Sequence, residues 1–435
     1  MKLFRNDILF LIFSCLLTVC GFTQDQVFQT GTPQEAGLNP VYIEQAFAEV
    51  QQAIAKGAAP GAVGLIVKDK KIIAHEALGN MQTHEVEISP DGKELLYKPM
   101  RVPMQKDTIF DLASLTKMVV AVPSILILME QQKLDLDDPV SQHLPSFGAL
   151  GKEKVTIRHL LTHSSGLPSW IALYQTCMNK RQAWDVIDRE VMLNSPPGTS
   201  RVYSDLGYII LGRLVEKISG MTLDEFAEKY IFSPLQMHDT MYLPRSEFIP
   251  RIAPTELDPL RKVMMRGIVH DENARETGGV SGHAGLFSTA YDLALFGQMI
   301  LNGGTLHGRR VLREKTIQMM MQPQLQAESL NHGSTFLRER KQLLGWWGMD
   351  ERMTITNIGG LPSRTAFGHS GFTGTLIYLD PEHNLLAILL SNAVHPNRES
   401  ANRSLLYHSF FDNLSRALVG EEVNIKPQQM PADGS

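Results

Sequence analysis

The segment Phe110-Asp111-Leu112-Ala113-Ser114-Leu115-Thr116-Lys117 sets a serine and a lysine three residues apart. If the chain turns helical at Ser114, Lys117 lies one turn later on the same face. A serine hydroxyl is a weak nucleophile until a base takes its proton, and a lysine whose pKa is lowered by burial can be that base. A helix N-terminus adds a backbone N–H and a positive dipole end for a developing oxyanion. Ser-x-x-Lys also recurs by chance, and the plain alternative is a serine N-cap beside a solvated lysine. The apolar run Met118-Val119-Val120-Ala121-Val122 argues for burial instead.

Tyr203-Ser204-Asp205 follows the loop Ser195-Pro196-Pro197-Gly198-Thr199. A phenol held near a lysine can shuttle the serine proton. The alternative is a packed aromatic with Asp205 as a helix N-cap. Gly368-His369-Ser370-Gly371-Phe372-Thr373-Gly374-Thr375 is glycine-rich at the start of an apolar strand. Glycine lets a strand approach a ligand closely, a free strand edge binds an extended acyl group, and the Phe372 N–H could be a second oxyanion donor. The alternative is a glycine-rich bulge. His270, Asp271 and His283 admit a metal reading, but no His-Glu-x-x-His or close paired spacing supports it, so neither a metal nor a cofactor is expected. His163 is expected to be structural, capping the turn before Gly166.

Elements must bring these segments together. Asn39-Pro40 opens a helix that Gly57 closes. Residues 62–68 and 71–78 read as strands of a hairpin turning at Asp69-Lys70. Residues 115–132 read as an apolar helix, and Ser204 or Asp205 opens another that runs to Gly220. Thr222 with Glu225, and Thr289 with Asp292, have capping-box spacing. Residues 375–379 and 385–390 read as apolar strands, and residues 397–418 as a closing helix. Strands at both chain ends and helices between them predict an α+β architecture: an antiparallel β-sheet built from both chain ends and flanked by helices, with a mostly helical inserted subdomain. The expected limits are 33–113 and 340–420 for the sheet part, 114–339 for the helical part, and 421–435 for a polar tail.

The 435 residues are 43% apolar and 20% charged, which excludes a disordered or collagen-like chain. A net charge of −5 argues against nucleic acid as the main partner. Lys2 and Arg5 precede the apolar stretch Ile8 to Val19 and a polar segment from Thr23, the layout of a secretory signal over residues 1–23. Leu17-Thr18-Val19-Cys20 leaves a lipid anchor at Cys20 as a second possibility. Of the three cysteines, Cys15 and Cys20 fall in or beside that signal, so Cys177 is left without an internal disulfide partner. No internal apolar run reaches the roughly 18 residues of a membrane span.

Ser114-x-x-Lys117, Tyr203-x-Asp205 and His369-Ser370-Gly371 resemble, in order, the three motifs of serine β-lactamases and penicillin-binding proteins. Arg158-His159-Leu160-Leu161-Thr162-His163-Ser164-Ser165-Gly166-Leu167-Pro168 resembles the family's segment between motifs one and two, and His369 to Asn392 resembles its closing strands. Val269 to Ala274 and Gly278 to Thr289 resemble a low-molecular-weight penicillin-binding subgroup linked to cell-wall turnover, with His283 near the active-site mouth. The resemblance spans Gln34 to Leu418 and points to the class C-like branch, which includes DD-peptidases, D-aminopeptidases and esterases.

The resemblance implies that Ser114 is the acylated nucleophile and that Lys117 and Tyr203 share base and acid work. It implies an oxyanion hole from the N–H groups of Ser114 and Phe372, with Asp205, His369, Ser370 and Gly371 on the substrate. Two positions depart from it. Asp205 stands where asparagine is usual; it could pair with Lys117, keep it protonated, shift base work to Tyr203 and repel an anionic group. His369 stands where lysine is usual and holds a carboxylate less strongly.

The expected function is therefore an exported, periplasmic or envelope-associated bacterial serine hydrolase acting on D-alanyl peptides of cell-wall origin. An esterase, a D-amino-acid amidase, a weak β-lactamase and a non-catalytic cell-wall binding protein are the alternatives. The expected partner is a small peptide, amide or ester derived from peptidoglycan.

Overall fold

The strand Leu385–Ser391 is buried along its whole length. Its side chains alternate between two faces, as the pleat requires. Leu386, Ile388 and Leu390 enter one apolar cluster, and Leu385, Ala387 and Leu389 enter a second. A strand covered on both sides cannot alternate apolar with polar, so this stretch reads as a continuous apolar run. The computed structural model describes residues 27–90, 95–258, 261–325, 331–332, 341–348 and 363–419. The signal-like N-terminus with Cys15 and Cys20, and the 421–435 tail, lie outside the described residues.

Leu385–Ser391 is the seam between the two chain ends. On one side it pairs antiparallel with Gly61–Lys68, which pairs with Lys71–Ile88. On the other it pairs with Thr375–Asp380, followed in turn by Phe367–Gly371, Trp347–Gly348 and Lys341–Gln342. Among the described residues this sheet has nine strands. The architecture is thus the expected α+β one, with a sheet drawn from both ends of the chain. Two details differ. Gln29–Thr30 adds to the edge in parallel with Lys71 and Ile72. The strand expected over 71–78 continues to Ile88 and pairs with Leu95–Pro103. That half opens with the polar run Gly79-Asn80-Met81-Gln82-Thr83-His84, too poor in apolar residues to announce itself as a strand.

Asp69 and Lys70 both take positive φ, 51° and 61°, which matches the twist of a tight hairpin. The helix Pro40–Ala55 begins as expected, with the Asn39 side chain accepting from the Val41 N–H at 3.0 Å. It packs with the closing helix Arg403–Val419 on one face of the sheet, where Phe47 meets Phe410 edge-on at 5.4 Å. The opposite face is covered by Val122–Glu130 and Ala290–Leu301.

The helix expected over 115–132 is not uniform: Lys117–Ala121 forms a wide π turn before Val122–Glu130. Pro123 lacks an N–H, and its ring would crowd the Val119 carbonyl in a regular α-helix; the wider turn relieves both. Glu225 caps the Thr222 N–H at 3.1 Å as its spacing predicts. Thr289 accepts from the Asp292 N–H at 3.2 Å, but the Asp292 carboxylate turns away to the Asp239 N–H and the Thr240 hydroxyl, so that box is only half made.

The last helix carries a half-buried carboxyl, within the field of Glu49 on the first. Burial pushes Asp412 up to about 7, with Arg416 pulling down and Glu49 pushing up. Its unfolded value is about 3.9. The folded state therefore holds the proton more tightly than the unfolded chain, so stability is full below about pH 4 and declines as pH rises toward 7. Urea midpoints measured from pH 4 to 8 should fall for the wild type and fall less for Asp412→Asn.

Candidate active site

Ala113 has φ +46°, a left-handed conformation that costs a non-glycine residue roughly 1–2 kcal/mol. The surroundings hold it there. The buried Asp111 carboxylate accepts from the Ala113 N–H at 2.9 Å and from the His270 N–H at 2.7 Å. The hydroxyls of Thr373 and Thr375 donate to the carbonyls of Asp111 and Leu112, at 2.7 and 3.0 Å. Leu112 donates to the Leu286 carbonyl, and Leu286 donates to the Thr116 hydroxyl. Two segments distant in sequence thus grip the turn that presents Ser114.

Lys117 is completely buried. Its ammonium donates to Ser114 Oγ at 2.9 Å and to the His283 carbonyl at 3.0 Å, and an Asp205 carboxylate oxygen lies 2.8 Å away. Burial alone would push this lysine down, but Asp205 and then Tyr203 outweigh it and hold it above the ordinary lysine value. Lys117 therefore rests as an ammonium, as the Asp205 departure suggests. The Tyr203 phenol lies in hydrogen-bond reach of Ser114 and Lys117; burial raises its pKa against the pull of the Lys117 charge.

Ser204 forms the cap of the helix Asp205–Ser219: its Oγ accepts from the Gly207 N–H, while its own N–H donates to His163 Nδ1 at 3.0 Å. That frees Asp205, in the first turn, to reach Lys117. His163 is buried and neutral, its pKa pushed well down by desolvation. Its ring lies tilted against Tyr203 at 4.4 Å and against Tyr208 at 5.0 Å, so it positions the phenol as well as the turn.

The strand Phe367–Gly371 passes close to the Ser114 turn. A Cβ at Gly371 would sit 2.3 Å from the Leu112 carbonyl oxygen and 2.2 Å from Thr375 Oγ1, distances no side chain tolerates. His369 is fully buried, stacked 4.0 Å from Trp347, with Nδ1 2.8 Å from the Ser370 carbonyl. Its ring lies 5.9 Å from Tyr203, behind the cleft wall rather than in it. Ser370 is partly exposed on the same strand.

A cleft of about 300 Å³ opens over Ser114, Tyr203 and Asp205, with Phe372, Trp170 and Arg398 among its walls. Phe372 and Trp170 are 44% and 42% exposed, large apolar surfaces at a polar site. Trp170 and Arg398 carry no local sequence signal, because only folding brings them beside Ser114. His270, Asp271 and His283 line the cleft too, with His283 near its mouth as expected; His270 Nε2 lies 3.2 Å from Glu256, and His283 bridges Asp271 and the Ser281 hydroxyl. The His283 carbonyl on Lys117 is a backbone contact that no side-chain motif announces.

A sequence model described as Beta-lactamase matches residues 46–409. The chain belongs to the beta-lactamase family. An N-acetylmuramyl-L-alanine amidase of Bacillus subtilis (strain 168) is 34% identical over 423 residues, covering 88% of this chain and 90% of its own. An Escherichia coli (strain K12) protein named provisionally as a D-alanyl-D-alanine carboxypeptidase is 32% identical, covering 85% of this chain and 86% of its own. The solved class C beta lactamase from Rhodobacter sphaeroides superposes with a TM-score of 0.66 at 19% identity, covering 86% of this chain and 99% of that one. The protein is a serine hydrolase of the superfamily that works through acyl-enzymes.

Gly371→Ala should push the strand off the Ser114 turn. The expected result is about 1–3 kcal/mol of lost stability in denaturant titration and a larger loss of turnover than of stability would explain.

Proposed function

We propose that this is an exported serine hydrolase that acylates Ser114 with D-alanyl peptides of cell-wall origin. The observation that carries the reading is the buried Lys117 ammonium, 2.9 Å from Ser114 Oγ and 2.8 Å from Asp205, at the floor of an open cleft. A simple N-cap has no use for a charge buried at such cost.

In this reading Ser114 Oγ attacks the substrate carbonyl, and the oxyanion is held by the N–H groups of Ser114 and Phe372. Because Lys117 already carries its proton, it is not the resting base; its charge stabilises the negative charge that develops on Oγ. Tyr203 takes the proton from Oγ as its own hydroxyl proton passes to the leaving nitrogen, so no free phenolate has to stand at neutral pH. Water then enters by the reverse relay, with Tyr203 receiving the water proton and Ser114 leaving as the hydroxyl. Gly371 and Ser370 line the acyl group along the strand edge. His369, buried against Trp347, supports this wall instead of meeting a substrate carboxylate directly.

The amidase relative gives a second reading with the same chemistry: cleavage of the amide between N-acetylmuramic acid and L-alanine. Either reading fits the signal-like N-terminus and the envelope of a bacterium. An esterase or D-amino-acid amidase differs only in the groups that fill the cleft.

Intact mass after incubation with a penicillin should show an adduct on the wild type and none on Ser114→Ala; rapid loss of the penicillin would also count for an acyl-enzyme. Tyr203→Phe should slow turnover of a D-alanyl-D-alanine peptide about 10²–10⁴-fold. Undiminished turnover in Ser114→Ala would sink the reading, and absence of both acylation and hydrolysis on peptide, muramyl amide and ester would leave a binding protein.

A further inference from the structure

Phe372, whose N–H is one of the two oxyanion donors in the reading above, sits in the turn between the strands Phe367–Gly371 and Thr375–Asp380. Such a donor helps only if it is already aimed when charge develops on the substrate oxygen. A misplacement of roughly 1 Å can cost about a hundredfold in rate.

The turn is pinned at successive carbonyls. Gly371 accepts from the Gly374 N–H at 3.1 Å, which fixes the peptide plane that carries the Phe372 N–H. Thr373 accepts from the Ala393 N–H at 2.8 Å, and Gly374 from the Ser391 N–H at 3.0 Å. Those donors are backbone groups. The Phe372 carbonyl is different: it accepts from a side chain, the Arg403 guanidinium, at 2.6 Å.

Arg403 grips the ring as well. Phe372 is 44% exposed, so burial does little to fix it. The Arg403 guanidinium carbon lies 4.5 Å from the ring centroid and that of Arg398 5.7 Å, while the His270 ring stacks on it at 5.6 Å. A cation within about 6 Å of an aromatic face is attracted by the ring quadrupole. Arg398 is shared between Glu256 and Glu272, so Arg403 is the nearer cation and the one that also holds the backbone. A planar guanidinium with five N–H groups can do both at once. Its position is otherwise unfavourable. Arg403 opens the helix Arg403–Val419, where a cation meets the positive end of the dipole, and the contacts with Phe372 offset that cost.

We propose that Arg403 is a positioning residue for the reaction: by clamping the carbonyl and the ring of Phe372, it keeps the Phe372 N–H aimed at the oxyanion. The inference rests on the acyl-enzyme reading, with Phe372 as a donor. Arg403 acts through Phe372 and leaves the rest of the cleft in place, so its loss should lower kcat far more than it raises KM.

The test uses the full chain and a small ester with its thiono analogue, in which sulfur replaces the carbonyl oxygen. Sulfur is larger and a poorer acceptor, so a well-aimed donor favours the oxo ester, and a loosened one shrinks that preference. Arg403→Ala should lower kcat on the oxo ester about tenfold, with little change in KM, and reduce the oxo-to-thiono rate ratio. Arg403→Lys should restore part of both, because an ammonium can donate to the same carbonyl. A smaller folded fraction would slow both esters alike and leave the ratio where it was. Hydrogen exchange read by mass spectrometry needs no turnover: residues 371–374 should exchange faster in Arg403→Ala, and the helix Arg403–Val419 should not. Arg403→Met keeps the apolar stem and decides the matter if Arg403→Ala does not fold. An unchanged ratio, or unchanged exchange at 371–374, in an enzyme that still acylates Ser114 would overturn the proposal alone. A wild type that acylates with neither ester nor penicillin would overturn the acyl-enzyme reading, and this role for Arg403 with it.

Discussion

An ammonium with no exposure to water is the constraint around which this molecule is arranged. Stripping an ion of water costs several kcal/mol even after relaxation, so Lys117 is tolerable only with its protons spoken for. Ser114 Oγ and the His283 carbonyl accept from it, and the Asp205 carboxylate balances its charge. One partner is in the same turn, and the other two come from remote stretches of chain. Burying one lysine thus fixes the meeting of the Ser114 turn, the start of the helix Asp205–Ser219 and the loop that ends at Leu286.

The supports around that meeting follow from it. Ser204 takes the capping role, so Asp205 is free to face inward. His163 stays neutral, which avoids a second buried cation beside Lys117, and its ring holds Tyr203 in place. The strained Ala113 is paid for by Asp111 and by two threonine hydroxyls reaching from the Gly371 turn. Sheet and helix ends therefore carry the reactive groups, and two of their supports, Ala113 and His163, take left-handed backbone conformations.

Asp205 changes the electrostatics of the floor in a way that shape alone does not reveal. An asparagine there would leave Lys117 easier to deprotonate; the carboxylate keeps it charged and moves proton transfer toward Tyr203. The upper wall is acid-rich, because the single Arg398 guanidinium lies between two carboxylates, Glu256 and Glu272. The site thus combines one buried charge pair with a wall in which carboxylates outnumber the guanidinium.

The order of the motifs and the apolar strands were enough to give the sheet drawn from both ends, because a strand buried on two faces must be a continuous apolar run and a short loop must turn where Asp69-Lys70 does. Ser114, Lys117, Tyr203 and Asp205 were legible by residue type, since nucleophile chemistry needs those groups at those spacings. Other features were not. The extension of the second strand to Ile88 has a polar, apolar-poor pattern that resembles loop. The π turn at Lys117 arises from Pro123 meeting a helix already committed to burial. The placement of His369 behind Trp347 depends on how neighbouring strands pair. Trp170, Arg398 and the His283 carbonyl join the site only through the fold, the last two from more than a hundred residues away in the chain, and the His283 group is a backbone atom that every residue possesses. Residue types and their spacing say which groups could react; folding brings Ser114, Lys117, Tyr203 and Asp205 to one cleft floor, because burial and ion pairing are properties of the whole packed chain.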